Sequence, residues 1–362
     1  MVITVTHRGY IKRVPLKTYR AQKRGGKGRK AMAMREEDFV NQVFIGNTKS
    51  SVLFFSSKGK VYQKKVFKLP EFAPNARGKP MIGIFPLIKG ENITAVLPLP
   101  NDKTSWENLN IVFSTAKGTV RRNALSDFVK IQSSGKIAMK LSDDDKLIGV
   151  HTCEEKENDV FLSTKEGKCL RFPISNVRKF SGRNSVGVRG IRLSKDDTVI
   201  SMYILKHAKF TIDERDNYLK IANSIRRKEL QRSMPFSKLS KGKNLSEEKF
   251  IEMENIEEFI LSVAVNGFGK RSSAYEYRIT SRGGKGIANM AVSKKTGKVV
   301  SSFPVNEKDD VMLIAGTGKL IRSPVNKIRI AGRTTQGVTL FKVESSEKVL
   351  SAASIKDLNI NS

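Results

Sequence analysis

IVFSTAKGTVRRNAL, residues 111–125, reads as an apolar strand, a tight turn holding a glycine, and a second strand. Five more segments share that plan: TVTHRGYIKRV (4–14), LFFSSKGKVYQKKV (53–66), VFLSTKEGKCLRFPI (160–174), VAVNGFGKRSSAYEY (263–277) and MLIAGTGKLIRSPV (312–325). The turn glycines are read as Gly9, Gly59, Gly118, Gly167, Gly269 and Gly318, spaced 50, 59, 49, 102 and 49 residues apart. Glycine recurs because two-residue hairpin loops need positive φ. The flanking strands alternate apolar and polar positions, as a half-buried sheet requires. Each hairpin is followed 14 to 20 residues later by a second glycine with a basic neighbour: Arg24-Gly25, Arg77-Gly78, Gly135-Lys136, Gly182-Arg183, Arg282-Gly283 and Gly332-Arg333. A unit of ~50 residues with about four strands cannot bury its faces alone, so units stack radially into a closed, propeller-like disc. A β-sandwich would explain the strands but not the repeated second element.

The interval of 102 residues is the exception. Residues 206–258 carry helix signals in place of a seventh hairpin. Thr211 and Glu214 form a capping box ahead of DERDNYLKIANSIRRKEL, and Ser246 opens a second helical run to Phe259. SMPFSKLSKGKN between them reads as a loop. The expected organisation is all-β: blades one to four over 1–205, a helical hairpin inserted in the fourth blade over 206–258, and blades five and six with a tail over 259–362.

The 362 residues hold 67 Lys and Arg against 35 Asp and Glu, a net charge of +32. Such a surplus calls for a polyanionic partner: RNA, duplex DNA or an anionic membrane. The inserted segment contributes only +2, which places the nucleic-acid surface on the blades. No apolar run is long enough to span a membrane, and the opening strand lacks the core of a signal peptide. Cys153 and Cys169 read as buried thiols in a reducing compartment, so a cytoplasmic location is expected. His7, His151 and His207 are too scattered to form a catalytic or metal site. The Gly-Lys pairs lack the spacing of a phosphate loop, so no nucleotide site and no cofactor is expected. Phenylalanines lie inside apolar strand runs such as Leu53-Phe54-Phe55, which disfavours a stacking platform for single strands. Trp106 is expected to pack at a blade edge.

The densest basic element is Gln22, Lys23, Arg24, Gly25, Gly26, Lys27 and Gly28, followed by Arg29 and Lys30. Its glycines let backbone approach a phosphate while the cations supply charge. Four hairpins carry an Arg four residues after the turn glycine (Arg13, Arg122, Arg171 and Arg322), with Gln63 and Ser273 breaking the rule. Together with the second-loop basics, the candidate rim contacts are Arg77, Lys79, Arg121, Arg122, Lys136, Arg171, Arg183, Arg189, Arg282, Lys285, Arg322 and Arg333. Contacts of this kind reach phosphate and carry no base identity.

The segment QKRGGKG resembles the gyrase box, usually QRRGGKG, of the C-terminal domain of the DNA gyrase A protein. Lys23 replaces the usual Arg, which keeps the charge and loses a bidentate fork. Arg77-Gly78-Lys79, Ser181 to Arg183 and Ser281 to Gly286 are similar to the degenerate boxes of that family, and the likeness covers nearly the whole chain. The resemblance implies a six-bladed β-pinwheel with strands exchanged between neighbouring blades. It further implies a disc that wraps duplex DNA with positive handedness, the box being needed for wrapping. The partners implied are the gyrase A N-terminal cleavage domain, which would lie upstream, and gyrase B in an A2B2 assembly that uses ATP and Mg2+. By itself the chain is expected to bind DNA and not to cut it. Two other readings stand beside this one: a topoisomerase IV-type domain that steers substrate choice without strong wrapping, and a basic RNA-binding repeat protein.

Overall fold

The computed structural model describes residues 1–18, 38, 40–100, 104–207, 209–227, 234–315, 320–342 and 347–355. The first unit supplies β1 (Val2–Thr6), β2 (Tyr10–Val14) and β3 (Val40–Ile45). The second supplies β4 (Ser51–Ser56), β5 (Lys60–Lys65), the two-residue β6 (Lys79–Pro80) and β7 (Ile93–Pro98). The third repeats this as β8 (Asn110–Thr115), β9 (Thr119–Ala124), β10 (Lys136–Ile137) and β11 (Leu147–Cys153). The fourth gives β12 (Asn158–Thr164), β13 (Lys168–Pro173), β14 (Val188–Arg189) and β15 (Val199–Lys206). After three helices, α1 (Ile212–Arg227), α2 (Phe236–Leu239) and α3 (Glu247–Asn255), the fifth gives β16 (Phe259–Ala264), β17 (Phe268–Ser273), β18 (Ile287–Ala288) and β19 (Val299–Val305). The sixth gives β20 (Asp310–Ala315), β21 (Leu320–Pro324), β22 (Val338–Thr339) and β23 (Val349–Ile355).

The second to sixth units each donate their two-residue strand to the preceding blade. The sheets run β3-β1-β2-β6, β7-β4-β5-β10, β11-β8-β9-β14, β15-β12-β13-β18, β19-β16-β17-β22 and β23-β20-β21. The innermost strands touch in sequence around one axis, and β23 meets β3 to close the ring. A Gln42 Nε2 hydrogen bond to the Val96 carbonyl at 3.0 Å joins β3 to β7. The expected six-bladed disc with exchanged strands is the observed fold.

One expectation changes. β4 and β8 are buried along their whole length, on both faces. Every sheet of a disc lies between two others, so the half-buried pattern does not apply to the central strands. Consecutive apolar residues fill both faces, and the small hydroxyls lie mainly toward the turn end of these strands: Ser56, Ser114, Thr115, Ser163, Thr164 and Ser262 are all buried. The cores lie between blades, as where Phe55 of the second blade packs on Phe113 and Phe128 of the third. Trp106 is buried in that same cluster and donates its indole N–H to the Pro100 carbonyl at 3.0 Å. Cys153 and Cys169 are free and buried, and burial pushes both thiols up to about 12.

The helices form a connection between the fourth and fifth blades, after the last strand of one and before the first of the next. Thr211 and Glu214 make the capping box, with Glu214 N–H donating to Thr211 Oγ1 at 3.2 Å and Thr211 N–H to Glu214 Oε2 at 2.7 Å. Ser246 caps α3 through the Lys249 N–H. Tyr218, Ile221, Phe250 and Met253 pack against Tyr275 of the fifth unit, whose hydroxyl donates to the Met253 carbonyl at 2.9 Å.

Candidate nucleic-acid interface

The second loops are the exchanged loops, and their attachment explains where the glycines fall. In each of five blades the turn-glycine carbonyl accepts an N–H from the neighbour's exchanged segment at 2.8 Å: Gly9 from Met81, Gly59 from Ala138, Gly118 from Gly190, Gly167 from Asn289 and Gly267 from Leu340. The fifth turn glycine is therefore Gly267, at φ +78°, and not Gly269, which lies inside β17 opposite Val263. A Cβ on Gly267 would stand 2.1 Å from the Phe341 carbonyl oxygen, so both the dihedral and the contact require glycine. Gly318 and the box residues Gln22 to Gly28 lie outside the described residues.

With Gly267 as the turn, the position four residues on is Arg271 and not Ser273, which adds a fifth arginine to that register. Four of these arginines fasten the exchanged loops. Arg13, Arg122, Arg171 and Arg271 each form a parallel bridge to the neighbour's loop, at Glu71, Lys179, Ile279 and Ile330. Arg171 Nε donates to buried Asp159 at 2.8 Å, and its remaining nitrogens donate to the Ala274 and Lys206 carbonyls. Arg122 pairs with Glu155 at 3.0 Å. Arg121 is fully buried beneath Gly182 to Ser185 and donates to the Arg183 and Ser185 carbonyls at 2.5 and 2.7 Å. Arg121, Arg122 and Arg171 were expected on the rim; their guanidinium groups are buried and already partnered, which removes them from the set a phosphate could meet.

The other second-loop candidates stand at the outer edge of the disc. Lys79, Arg189 and Lys285 are exposed; Arg77, Lys136, Arg183, Arg282 and Arg333 are half-buried. Arg77 lies over the Tyr10 ring at 3.8 Å and beside Asp38 at 3.6 Å. Arg183 donates to the Asp127 carbonyl at 3.1 Å, Arg282 to those of Asn176 and Arg189 at 2.9 and 3.0 Å, and Arg333 to that of Ala288 at 2.8 Å. Such bonds aim a guanidinium while leaving part of its fork open. Arg322 is exposed on β21 and its Nε donates to Asp310 Oδ2 at 2.6 Å. For this strand no exchanged partner is present among the described residues, so the sixth sheet has three strands. What this arrangement offers is an arc of glycine-basic turns repeated on successive blades, with amide and cationic donors; no cluster that could hold a metal ion is present among the described residues.

The sequence reading missed two buried lysines, Lys12 in β2 and Lys270 in β17. Each has a signal in hindsight: it lies three residues past its turn glycine, the same register as Arg121.

Six stretches of the chain, residues 1–47, 50–100, 109–154, 158–206, 258–306 and 309–356, match the family model described as DNA gyrase C-terminal domain, beta-propeller. The chain is 54% identical over 357 residues to the DNA gyrase A protein of Rickettsia bellii, covering 99% of this chain and 39% of that protein. It is 36% identical to the DNA gyrase A protein of Escherichia coli, covering 97% of this chain and 34% of that protein. The chain thus spans well under half the length of these curated relatives. Among solved structures, the C-terminal domain of a DNA topoisomerase IV superposes with a TM-score of 0.73 at 22% identity, covering 98% of this chain and 93% of that one. A DNA gyrase A C-terminal domain superposes at 0.62 and 21% identity, covering 98% and 99%. At those identities the likeness is one of fold.

Proposed function

The chain belongs to the family of DNA gyrase C-terminal domains, and from that premise we propose that it binds duplex DNA non-specifically along its basic rim and wraps it with positive handedness. In the gyrase holoenzyme this wrap would present the duplex for strand passage, so that negative supercoils are introduced. The observation that carries the reading is the repetition of the glycine-basic turn at the same place on successive blades of a closed disc. Bending a short duplex by 40–90° costs ~1–6 kcal/mol, and contacts distributed along an arc are what can offset it. We assign the chain no cleavage chemistry and no cofactor of its own. The gyrase A cleavage domain, gyrase B in an A2B2 assembly, ATP and Mg2+ would supply the rest, in the cytoplasm.

Ligation of nicked plasmid with the chain bound tests this: trapped positive supercoils are expected. Binding without trapped supercoils would favour a topoisomerase IV-type domain, and preference for structured RNA over duplex would end the DNA reading. With about ten phosphates neutralised, log K should fall with log salt at a slope near −9. Replacing Lys23, Arg24 and Lys27 with Ala should lower affinity only several-fold, since the other blades keep their charge, yet abolish the trapped supercoils. Normal wrapping by that variant would reduce the box to one more basic loop.

A further inference from the structure

Three residues past the turn glycine, the six hairpins alternate. Units one, three and five carry Lys12, Arg121 and Lys270; units two, four and six carry Tyr62, Leu170 and Ile321. All three cations are buried, with no exposed surface. Each lies beneath the exchanged loop of the next unit and donates to its carbonyls. Lys12 Nζ reaches those of Pro74 and Ala76 at 2.5 and 2.9 Å, Arg121 those of Arg183 and Ser185, and Lys270 Nζ that of Gly332 at 2.6 Å. The glycine that precedes each exchanged strand sits on the same side chain: Cβ atoms built on Gly78, Gly187 and Gly337 would lie 3.1, 3.1 and 3.2 Å from the Cβ atoms of Lys12, Arg121 and Lys270.

The fold does not need a cation in this slot. In the second blade the Tyr62 ring fills it against Gly135, and in the fourth Leu170 fills it beside Gly284. A buried charge is expensive to keep where an apolar side chain fits. Burial lowers Lys12 to about 8 and Lys270 to about 7, the direction expected of an ammonium withdrawn from water. Arg121 and Lys270 have no carboxylate within ion-pair distance among the described residues; Asp127 and Glu276 are the acidic groups whose fields reach them. Their charge is therefore directed at the loop. A cation in a low-dielectric slot also raises the potential of the surface above it more than an exposed one does.

We propose that Lys12, Arg121 and Lys270 are positioning residues for the DNA backbone, each drawing the carbonyls of its exchanged loop inward and so presenting Arg77-Gly78-Lys79, Gly182-Arg183 or Gly332-Arg333 to phosphate. This rests on the DNA-binding reading above and adds to it a division of the rim into strong and weak stations on alternate blades.

Lys270→Leu and Arg121→Leu, which install the fourth blade's residue, separate positioning from scaffolding. Thermal unfolding and affinity for a mixed-sequence duplex are measured on the whole chain. The melting temperature should hold or rise, while affinity falls several-fold on every sequence and the salt slope becomes shallower by about one. Lys270→Arg, which keeps the charge, should retain the affinity that the parent shows near pH 6. Leucine variants that fail to fold, or that melt lower and bind as the parent does, would show the cations to be scaffold only and overturn the proposal. A parent that does not bind duplex brings down the functional reading itself, an outcome recognisable because no variant is needed to see it.

Discussion

The third and fourth blades are two copies of one plan. Gly118 and Gly167 turn their hairpins at φ +82° and +76°, and each accepts the neighbour's backbone at 2.8 Å. Arg122 and Arg171 hold the same bridge to the exchanged loop. One position earlier they part: β9 buries Arg121 and β13 buries Leu170. What these two blades share is what the strand exchange needs. A position that alternates between a cation and an uncharged side chain is free of that need, and is where function could act on the repeat.

The comparison breaks first if the shared arginine is dispensable. Arg171→Met would leave Asp159 buried with His207 as its remaining side-chain partner at 2.6 Å. Loss of one member of a buried pair is worth about 3–5 kcal/mol, read as a lower urea midpoint. Leu170→Ala should cost about 2–5 kcal/mol through the cavity it leaves, with affinity per folded molecule unchanged. If that variant bound DNA more weakly, the apolar stations would be positioning loops too. Arg122→Met sharpens the contrast from the other side. Glu155 is about half exposed, so solvent would take over its charge, and the loss should be near 1–3 kcal/mol. Equal losses at Arg122 and Arg171 would mean that the loop bridge, and not the carboxylate, sets the stability.

The same comparison shows why the hairpins were legible in the sequence and their chemistry was not. A turn glycine is a local requirement, so strands and blades could be read from residues a few positions apart. Gly267 and Gly269 satisfy that local reading equally, and only the folded chain distinguishes them, through the positive φ of Gly267 and its clasp to Leu340. Arg121 and Arg122 look like strand charges facing water, because nothing near them in sequence announces the loop that covers them some sixty residues on. The exchanged strands are two residues long and carry no periodicity. The helical connection was readable from its caps, since Thr211 and Ser246 act on N–H groups three residues away.

The smallest expected effect is also the most specific, because stability and binding respond to pH in opposite ways at Lys270. The charged groups around it are Glu276 and Arg333, and the titratable Cys169 thiol, pushed up to about 12, stays neutral across this range. With its folded value lowered to about 7, Lys270 holds fewer protons in the native than in the unfolded chain up to the ordinary lysine range. Its contribution to stability is therefore lowest at about pH 6, where the charge is buried intact, and recovers as pH rises through 7 toward 10. The charge beneath the Gly332-Arg333 loop follows the reverse course, full below about 7 and lost above it. The affinity of the parent relative to Lys270→Leu should accordingly be largest near pH 6 and approach one near pH 9, with Lys270→Arg flat across the range. Over the same interval the stability advantage of Lys270→Leu should shrink. A relative affinity that stays constant would mean that the ammonium never acts on the loop as a charge, and Lys270 would then differ from Leu170 only in shape.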